Sequence, residues 1–464
     1  MTSSKITEAL AAEVAETDDG DIPDRARRAI ETLILDHVGI AYMGAALTGA
    51  PLIAFARDQG GRADAVLLGS DLRVPAALAA GLNGQFSRAT NFEETGPGRH
   101  IGPLCVHTAL AVGQRVGTTG RAMVTAAALG YLHCARFHQA VRANNGMAHH
   151  RTTAAAIAAR LHGFDRRRTA RALNLAWEMP HRFRADTSSR VATLAFEAKR
   201  ISPFGTPGPL ATPFFHARHG IEAALLVAHG LTSVEAEIDR DRADYDVPGL
   251  LRQPPPFDLI GRMELKPWPC NRPGQCAIQA LSDLLQDHAI DPDTVTELRL
   301  HVPRVSAVPH QVDPAPDTYW EAIYSIHWAA AMVVLGIPAG PKWVTASRLR
   351  DPRARRLAAM VEVREDREAT LAYEETRRDD VLGSVEIVAA GRSYRAQASL
   401  GQTLGSPNRP MSAAAIDAKF REASSLALTP THAERLITAL RSIDTVVDVG
   451  ELAALLVVDQ TPKT

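Results

Sequence analysis

Apolar side chains recur at helical spacing along most of this chain, then at a period of two, then at helical spacing again. Ile6–Thr17 is predicted as a first helix. Pro23 opens a second, as a first-turn proline can, with Ile30, Leu33, Ile34, His37, Val38 and Ala41 on one face and Gly44 as its stop. Ala65–Leu68 reads as a short strand or extended segment. From Pro75 to Gly230 helix follows helix, with alanine dense in Ala76–Ala80, Ala126–Ala128 and Ala154–Ala159. Small residues let helices approach closely, so these stretches are predicted to be buried against one another. Gly120–Arg142, Arg151–Leu161 and Ile221–His229 are distinct helices in this run, the last closed by Gly230 in a left-handed cap.

The pattern then changes. Arg252–Pro256 and Lys266–Gly274 each hold three prolines, which predicts a stiff hinge. Beyond it Glu297–Val302 alternates like a strand, Trp320–Leu335 returns to helix, and Ala359–Arg364 reads as another strand. Ser384–Ala389 and Tyr394–Ser399 flank Ala390–Ser393 as a hairpin. After Pro410 the chain is helical again, with Thr431 and Glu434 as a capping box. The expected fold is mainly α with α+β. Residues 1–262 and 406–464 form a large helical domain, and residues 263–405 a smaller inserted α+β domain.

With 464 residues, 46% hydrophobic and 22% charged, this is an ordinary globular composition. A net charge of −1 supplies no field to draw in nucleic acid or an anionic membrane. The N-terminal stretch carries Glu8, Glu13, Glu16, Asp18 and Asp19, unlike a signal peptide. Ile30–Ala46 is expected to be too short and too interrupted to span a bilayer. Cys105, Cys134, Cys270 and Cys276 are few and scattered, as reduced thiols of a cytoplasmic protein are. The partner these features leave is a small molecule.

Three segments could carry chemistry. Asn91–Pro103 is polar and glycine-rich between apolar helices. The helix beginning near Pro103 would offer free backbone N–H groups to a substrate carboxylate, with Arg99 and His100 beside it. A solvated loop is the bland alternative. Asn144–Arg151 holds His149 and His150. Adjacent histidines point to different helix faces, and His133 and His138 are five apart, so no metal is expected; acid–base work by an imidazole is one reading and a polar helix end the other. Lys266–Arg272 would carry its two cations toward an interdomain cleft, or serve as a rigid connector. Arg166–Arg168 reads as a solvated helix start. No dinucleotide-binding, P-loop, zinc-protease or nucleophile-elbow motif is present.

Together these segments resemble one family along nearly the whole chain, the MmgE/PrpD-like proteins, which include methylcitrate dehydratases, cis-aconitate decarboxylase and iminodisuccinate epimerases. Leu33–Ala41 resembles the family's LLDTLGVALAG helix, Asn91–Thr95 its DFDDT segment, His219–Leu226 its SGVLAALLA helix, and Lys266–Arg272 its KPYPCCR segment. The resemblance implies a helical domain built from both chain ends, a smaller α+β domain, a homodimer, and no metal or organic cofactor. It also implies elimination, decarboxylation or epimerisation at a carbon next to a carboxylate, which needs a base, an acid and carboxylate-holding cations.

The departures are chemical. The first family aspartate stands as Asn91, while Thr95 is kept and His100 matches the histidine that follows. The FHPTA histidine falls on Asn144, or with a gap on His149 or His150; a family lysine falls on Pro209, with Lys199 the nearest. The histidine after KPYPCCR becomes Gln275, and a tyrosine falls on Trp328, beside His327 and near Tyr324. The expected catalytic set is therefore His100, His149, His150, Asn91 and Asn144, with Glu93 sharing the proton work. Thr95, Arg99, Lys266, Arg272, His327 and Trp328 would bind substrate. Three functions follow: a cofactor-independent lyase on a small carboxylic acid, a repurposed isomerase or cyclase, or a non-catalytic binding homologue.

Overall fold

The computed structural model describes residues 5–97, 99–140, 148–179, 207–233, 236–240, 245–251, 257–376 and 380–458; of Lys5, Ala148 and residues 207–212 it describes the backbone alone. Helix α1 is Lys5–Glu16, and α2 runs Asp24–Thr48 with Pro23 just before it. The predicted stop at Gly44 is not one. A Cβ there would run into the Phe86 carbonyl oxygen, so this glycine admits the backbone of a neighbouring helix. The 25 residues of α2 are long and apolar enough to cross a membrane, contrary to the expectation for Ile30–Ala46; but 78% of the apolar window is buried inside the protein, as in a core helix.

After α3 (Ala50–Gln59) and the small antiparallel pair β1 (Ala65–Val66) and β2 (Arg73–Val74) come α4 (Ala76–Arg88), α5 (Gly102–Val116), α6 (Gly120–Ala140), α7 (Ala148–Leu161), α8 (Arg166–Glu178) and α9 (Pro207–Ala228). The predicted helix at Ile221 is thus the end of a much longer one. The alanine-dense stretches are buried where helices meet. Val141 and Arg142, Asn144, Lys199 and the prolines of Arg252–Pro256 lie outside the described residues, as does the side chain of Pro209.

A second core spans Trp268 to Ala398. It holds α10 (Gln275–Asp287), β3 (Val295–Val302), α11 (Tyr319–Tyr324), α12 (Ile326–Val334), α13 (Pro352–Met360), β4 (Val361–Glu365), β5 (Leu382–Ala389) and β6 (Arg392–Ser399). The sheet order is β4-β3-β5-β6, with β3 parallel to β4 and antiparallel to β5. The β5–β6 hairpin turns on Ala390 (φ 48°) and Gly391 (φ 73°), both left-handed as a two-residue turn demands. Gly383, Val385, Ile387 and Ala389 alternate inward along β5 and meet the apolar face of α10. The single helix predicted over Trp320–Leu335 is two, because the Ser325 hydroxyl caps a new start by accepting from Trp328 N at 3.0 Å.

The chain end returns as α14 (Ala413–Ser424) and α15 (Pro430–Arg441) and packs on α2; Phe420, Leu436 and Leu440 join the core of α2 and α4–α7. The cap of α15 is Thr429 with Pro430 behind it, two residues before the predicted box. Lys419 of α14 pairs with Asp36 of α2 at 2.7 Å and donates to the Phe92 carbonyl at 3.1 Å. Both chain ends therefore brace the polar segment after α4. The architecture is mainly α with a small α+β part.

Candidate active site

The polar segment leaves α4 at Arg88 and turns through Asn91, whose φ of 51° lets the chain reverse. Thr95 then pairs with Glu264 across an antiparallel bridge, Thr95 N to Glu264 O at 3.0 Å and Glu264 N to Thr95 O at 2.7 Å. The bridge lays this loop against the approach to the second core, and Lys266 follows two residues later.

Glu93 is the centre of what gathers there. It is 0% exposed. Its Oε1 receives Arg88 Nη1 at 2.8 Å, has His100 Nδ1 at 2.8 Å off the line of the N–H bond, and stands 3.7 Å from Lys266 Nζ. Lys266 Nζ also donates to Asn91 O at 2.9 Å and Asn91 Oδ1 at 3.0 Å, while Asn91 Nδ2 donates to Ile323 O at 3.0 Å. Tyr324, from the same stretch of α11, hydrogen-bonds Arg88.

Burial alone would raise the Glu93 carboxyl, but Arg88, Lys266 and His100 outweigh it and hold it well below the usual carboxylate range. Burial pushes the His100 imidazole down, and Arg88 and Lys266 push it the same way against Glu93. Burial also lowers the Lys266 ammonium, with Glu93 opposing. The His100 side chain nevertheless keeps 33% of its surface exposed, so a neutral imidazole steadied by a buried anion faces outward.

A narrow cleft, open in part to solvent, adjoins this set and is lined by Thr95, Lys266, Arg272, Gln275, Thr403 and Ser406. It lies between the loop after α4 and the second core. Arg272 is held by Glu264 through two hydrogen bonds of 2.8 and 3.0 Å. A carboxylate entering the cleft would meet Lys266 and Arg272 with their internal acceptors already engaged.

Glu94 points the other way. Its Oε1 accepts from Gly102 N at 2.7 Å and from the Tyr131 hydroxyl at 3.4 Å, and its Oε2 is paired with His37 Nε2. His37 Nδ1 reaches Ser87 Oγ at 2.7 Å. The start of α5, expected to bind a substrate carboxylate, is thus occupied by the protein's own. All three side chains are 0% exposed, so the Ser–His–Glu chain does not meet solvent.

The other expected site residues divide. Thr95, Lys266 and Arg272 line the cleft, Asn91 and His100 join Glu93, and Arg99 sits at a left-handed turn (φ 63°). His149 and His150 stand in the first turn of α7, with His149 Nδ1 3.0 Å from Tyr245 Oη and the His150 ring 5.4 Å from that of His216. His327 and Trp328 are buried in the second core: His327 Nδ1 lies 3.1 Å from Ala358 O, and Trp328 Nε1 donates to Trp343 O at 2.8 Å. Tyr324, one turn earlier, is the aromatic residue that reaches the cluster. Gln275 donates to the Trp268 and Cys270 carbonyls at 2.9 and 3.1 Å, so it shapes the proline-rich joint. The four cysteines are free and buried.

Sequence reasoning missed Arg88, His37 and the role of Glu94. The signals were a basic residue ending a helix buried from Ala76 through Ser87, and an imidazole set on the apolar face of α2. The expectation that adjacent histidines diverge also fails. The rings of His149 and His150 are 4.6 Å apart and, with Cys134, bring three possible metal ligands within 4.8 Å of one another.

Comparison with known families gives two matches. Residues 8–249 match the model of the MmgE/PrpD N-terminal domain, and residues 268–445 that of the MmgE/PrpD C-terminal domain. No curated protein matches the chain.

Proposed function

The chain belongs to the MmgE/PrpD family, whose members are broadly dehydratase-type enzymes, and from that premise we propose that it is a cofactor-independent lyase acting on a small carboxylic acid. One observation carries the reading: a part-exposed imidazole held by a buried carboxylate, next to a buried ammonium at a cleft edge. His100, neutral near pH 7, takes a proton from a carbon beside the substrate carboxylate. The freed electron pair forms the C=C bond as the neighbouring hydroxyl leaves, taking the proton from the imidazolium and departing as water. In the decarboxylating variant no C–H proton is removed; carbon dioxide departs, and the electron pair it leaves on carbon is quenched by a proton from protonated His100. Lys266 and Arg272 hold the carboxylate, and Glu93 fixes the imidazole and balances the charge it gains. The proposal extends to a homodimer, as the family resemblance implies, and to the cytoplasm, as four scattered thiols suggest.

A second reading rests on the engaged cations. Because Arg272 is paired with Glu264 and Lys266 with Asn91, the cleft offers less free positive charge than a tricarboxylate needs, which suits an isomerase or cyclase working on a less charged acid. A panel of citrate-like, aconitate-like and aspartate-derived acids incubated with the purified chain separates the readings. The lyase reading expects release of water or carbon dioxide from at least one. Rearrangement without loss of mass supports the isomerase. Loss of neither kind, with tight binding of one acid, would leave a binding homologue.

A further inference from the structure

A thiol and two imidazoles that take no part in the reaction above meet inside the helical core. Cys134 lies near the end of α6, and His149 and His150 open α7; the three are 0%, 2% and 5% exposed. One ligand atom from each lies within 4.8 Å of the other two, the sole such trio of His, Cys, Asp or Glu among the described residues. We propose that Cys134, His149 and His150 bind one borderline transition-metal cation of the zinc(II) class, clasping the start of α7 to the end of α6.

The ligand set selects the ion. One thiolate and two imidazoles suit zinc(II), cobalt(II) or copper, and offer nothing to magnesium or calcium, which want oxygen. A tetrahedral zinc would hold the three atoms roughly 3.3–3.6 Å apart, so the side chains must close by about 1 Å, within reach of rotamer adjustment. The fourth position is left for water. Binding is an exchange of one cation for one proton at sulfur: burial pushes the Cys134 thiol up to about 12, so it is protonated before the metal arrives and leaves its proton to solvent.

The surroundings are those of a metal shell. Tyr245 Oη, 3.0 Å from His149 Nδ1, can accept its proton and so leave Nε2 as the ligand atom. Phe137 stacks on His149 at 6.1 Å, and Trp177 packs against both Phe137 and Tyr245 at 5.5 and 5.2 Å, which walls one side of the site with buried rings. Thr153 hydrogen-bonds the thiol and donates to the His149 carbonyl at 2.8 Å, tying the two ligands through α7 itself. Sequence spacing hides this site, since ligands from facing helices meet only after the helices pack.

The test uses the full-length chain, stripped with chelator and titrated with cobalt(II) alone, then zinc(II) alone. The expected result is one equivalent of cobalt bound, a thiolate-to-cobalt absorption in the near ultraviolet that zinc abolishes, and about one proton released per ion near pH 7. Cys134→Ser should remove that absorption, and His150→Gln should weaken binding at least about tenfold. Failure to bind one equivalent, or cobalt binding without the thiolate band, overturns the proposal, and so does affinity unchanged in both variants. The wild-type stoichiometry and spectrum decide alone if either variant does not fold. None of these readouts depends on turnover, so the lyase reading can fail without touching this site.

Discussion

Glu93 and Glu94 are adjacent, both buried, both paired with a histidine, and they do different things. Glu93 gathers Arg88, His100 and Lys266 at the edge of a cleft, and its imidazole partner keeps a third of its surface. Glu94 gathers His37, Tyr131 and the start of α5, all of them buried. Residue type and pairing are therefore poor guides to chemistry by themselves. What separates the two is access and the kind of charge around them. Glu94 fills a helix start that would otherwise hold unsatisfied N–H groups. Glu93 binds three cationic or titrating groups that a substrate could also engage.

The contrast can be broken at several points. The greatest expected effect is on turnover: His100→Ala should lower kcat ~10²–10⁴-fold with little change in Tm, because the side chain is partly exposed and its loss leaves no new buried charge. Equal activity in that variant would move the chemistry elsewhere. Glu93→Gln should be the most destabilising substitution here, costing about 3–5 kcal/mol in denaturant unfolding, since Arg88 and Lys266 are left buried without their anion. Glu94→Gln should cost less, about 1.5–3 kcal/mol, as a charge-assisted bond to His37 is lost while an amide oxygen can still accept from Gly102 N. In contrast to its neighbour, its kcat should stay within a few-fold of wild type at temperatures where it is folded. The smallest effect on turnover is expected at Trp328→Phe, which should leave kcat unaltered while costing about 1–3 kcal/mol for the Trp343 carbonyl left without its donor and the gap beside it.

Much of the fold was legible because helical periodicity and the proline-rich joint are local signals. The polar loop after α4 and the Lys266 stretch were both marked by composition, and the Thr95–Glu264 bridge does join them. What could not be read is set by tertiary approach. Gly44 looks like a helix stop until Phe86 is seen pressed against it. Ser325 breaks a helix that periodicity runs straight through. Arg88 gives no hint of its partner, because the chain must reverse at Asn91 before Glu93 comes back to it. Tyr324, not Trp328, supplies the aromatic group at the cluster, and only the break at Ser325 sets which of the two faces it.

The central claim is that Glu93 and His100 act as one acid–base unit whose imidazole is neutral at physiological pH, and it can be tested without knowing the substrate. Imidazole resonances followed by NMR through a pH titration should show His100 gaining its proton below the ordinary value of about 6.5. In Glu93→Gln the midpoint should fall further, because Glu93 is the group that favours the charged ring. A His100 that titrates at or above the ordinary value, or that does not respond to loss of Glu93, would contradict the account.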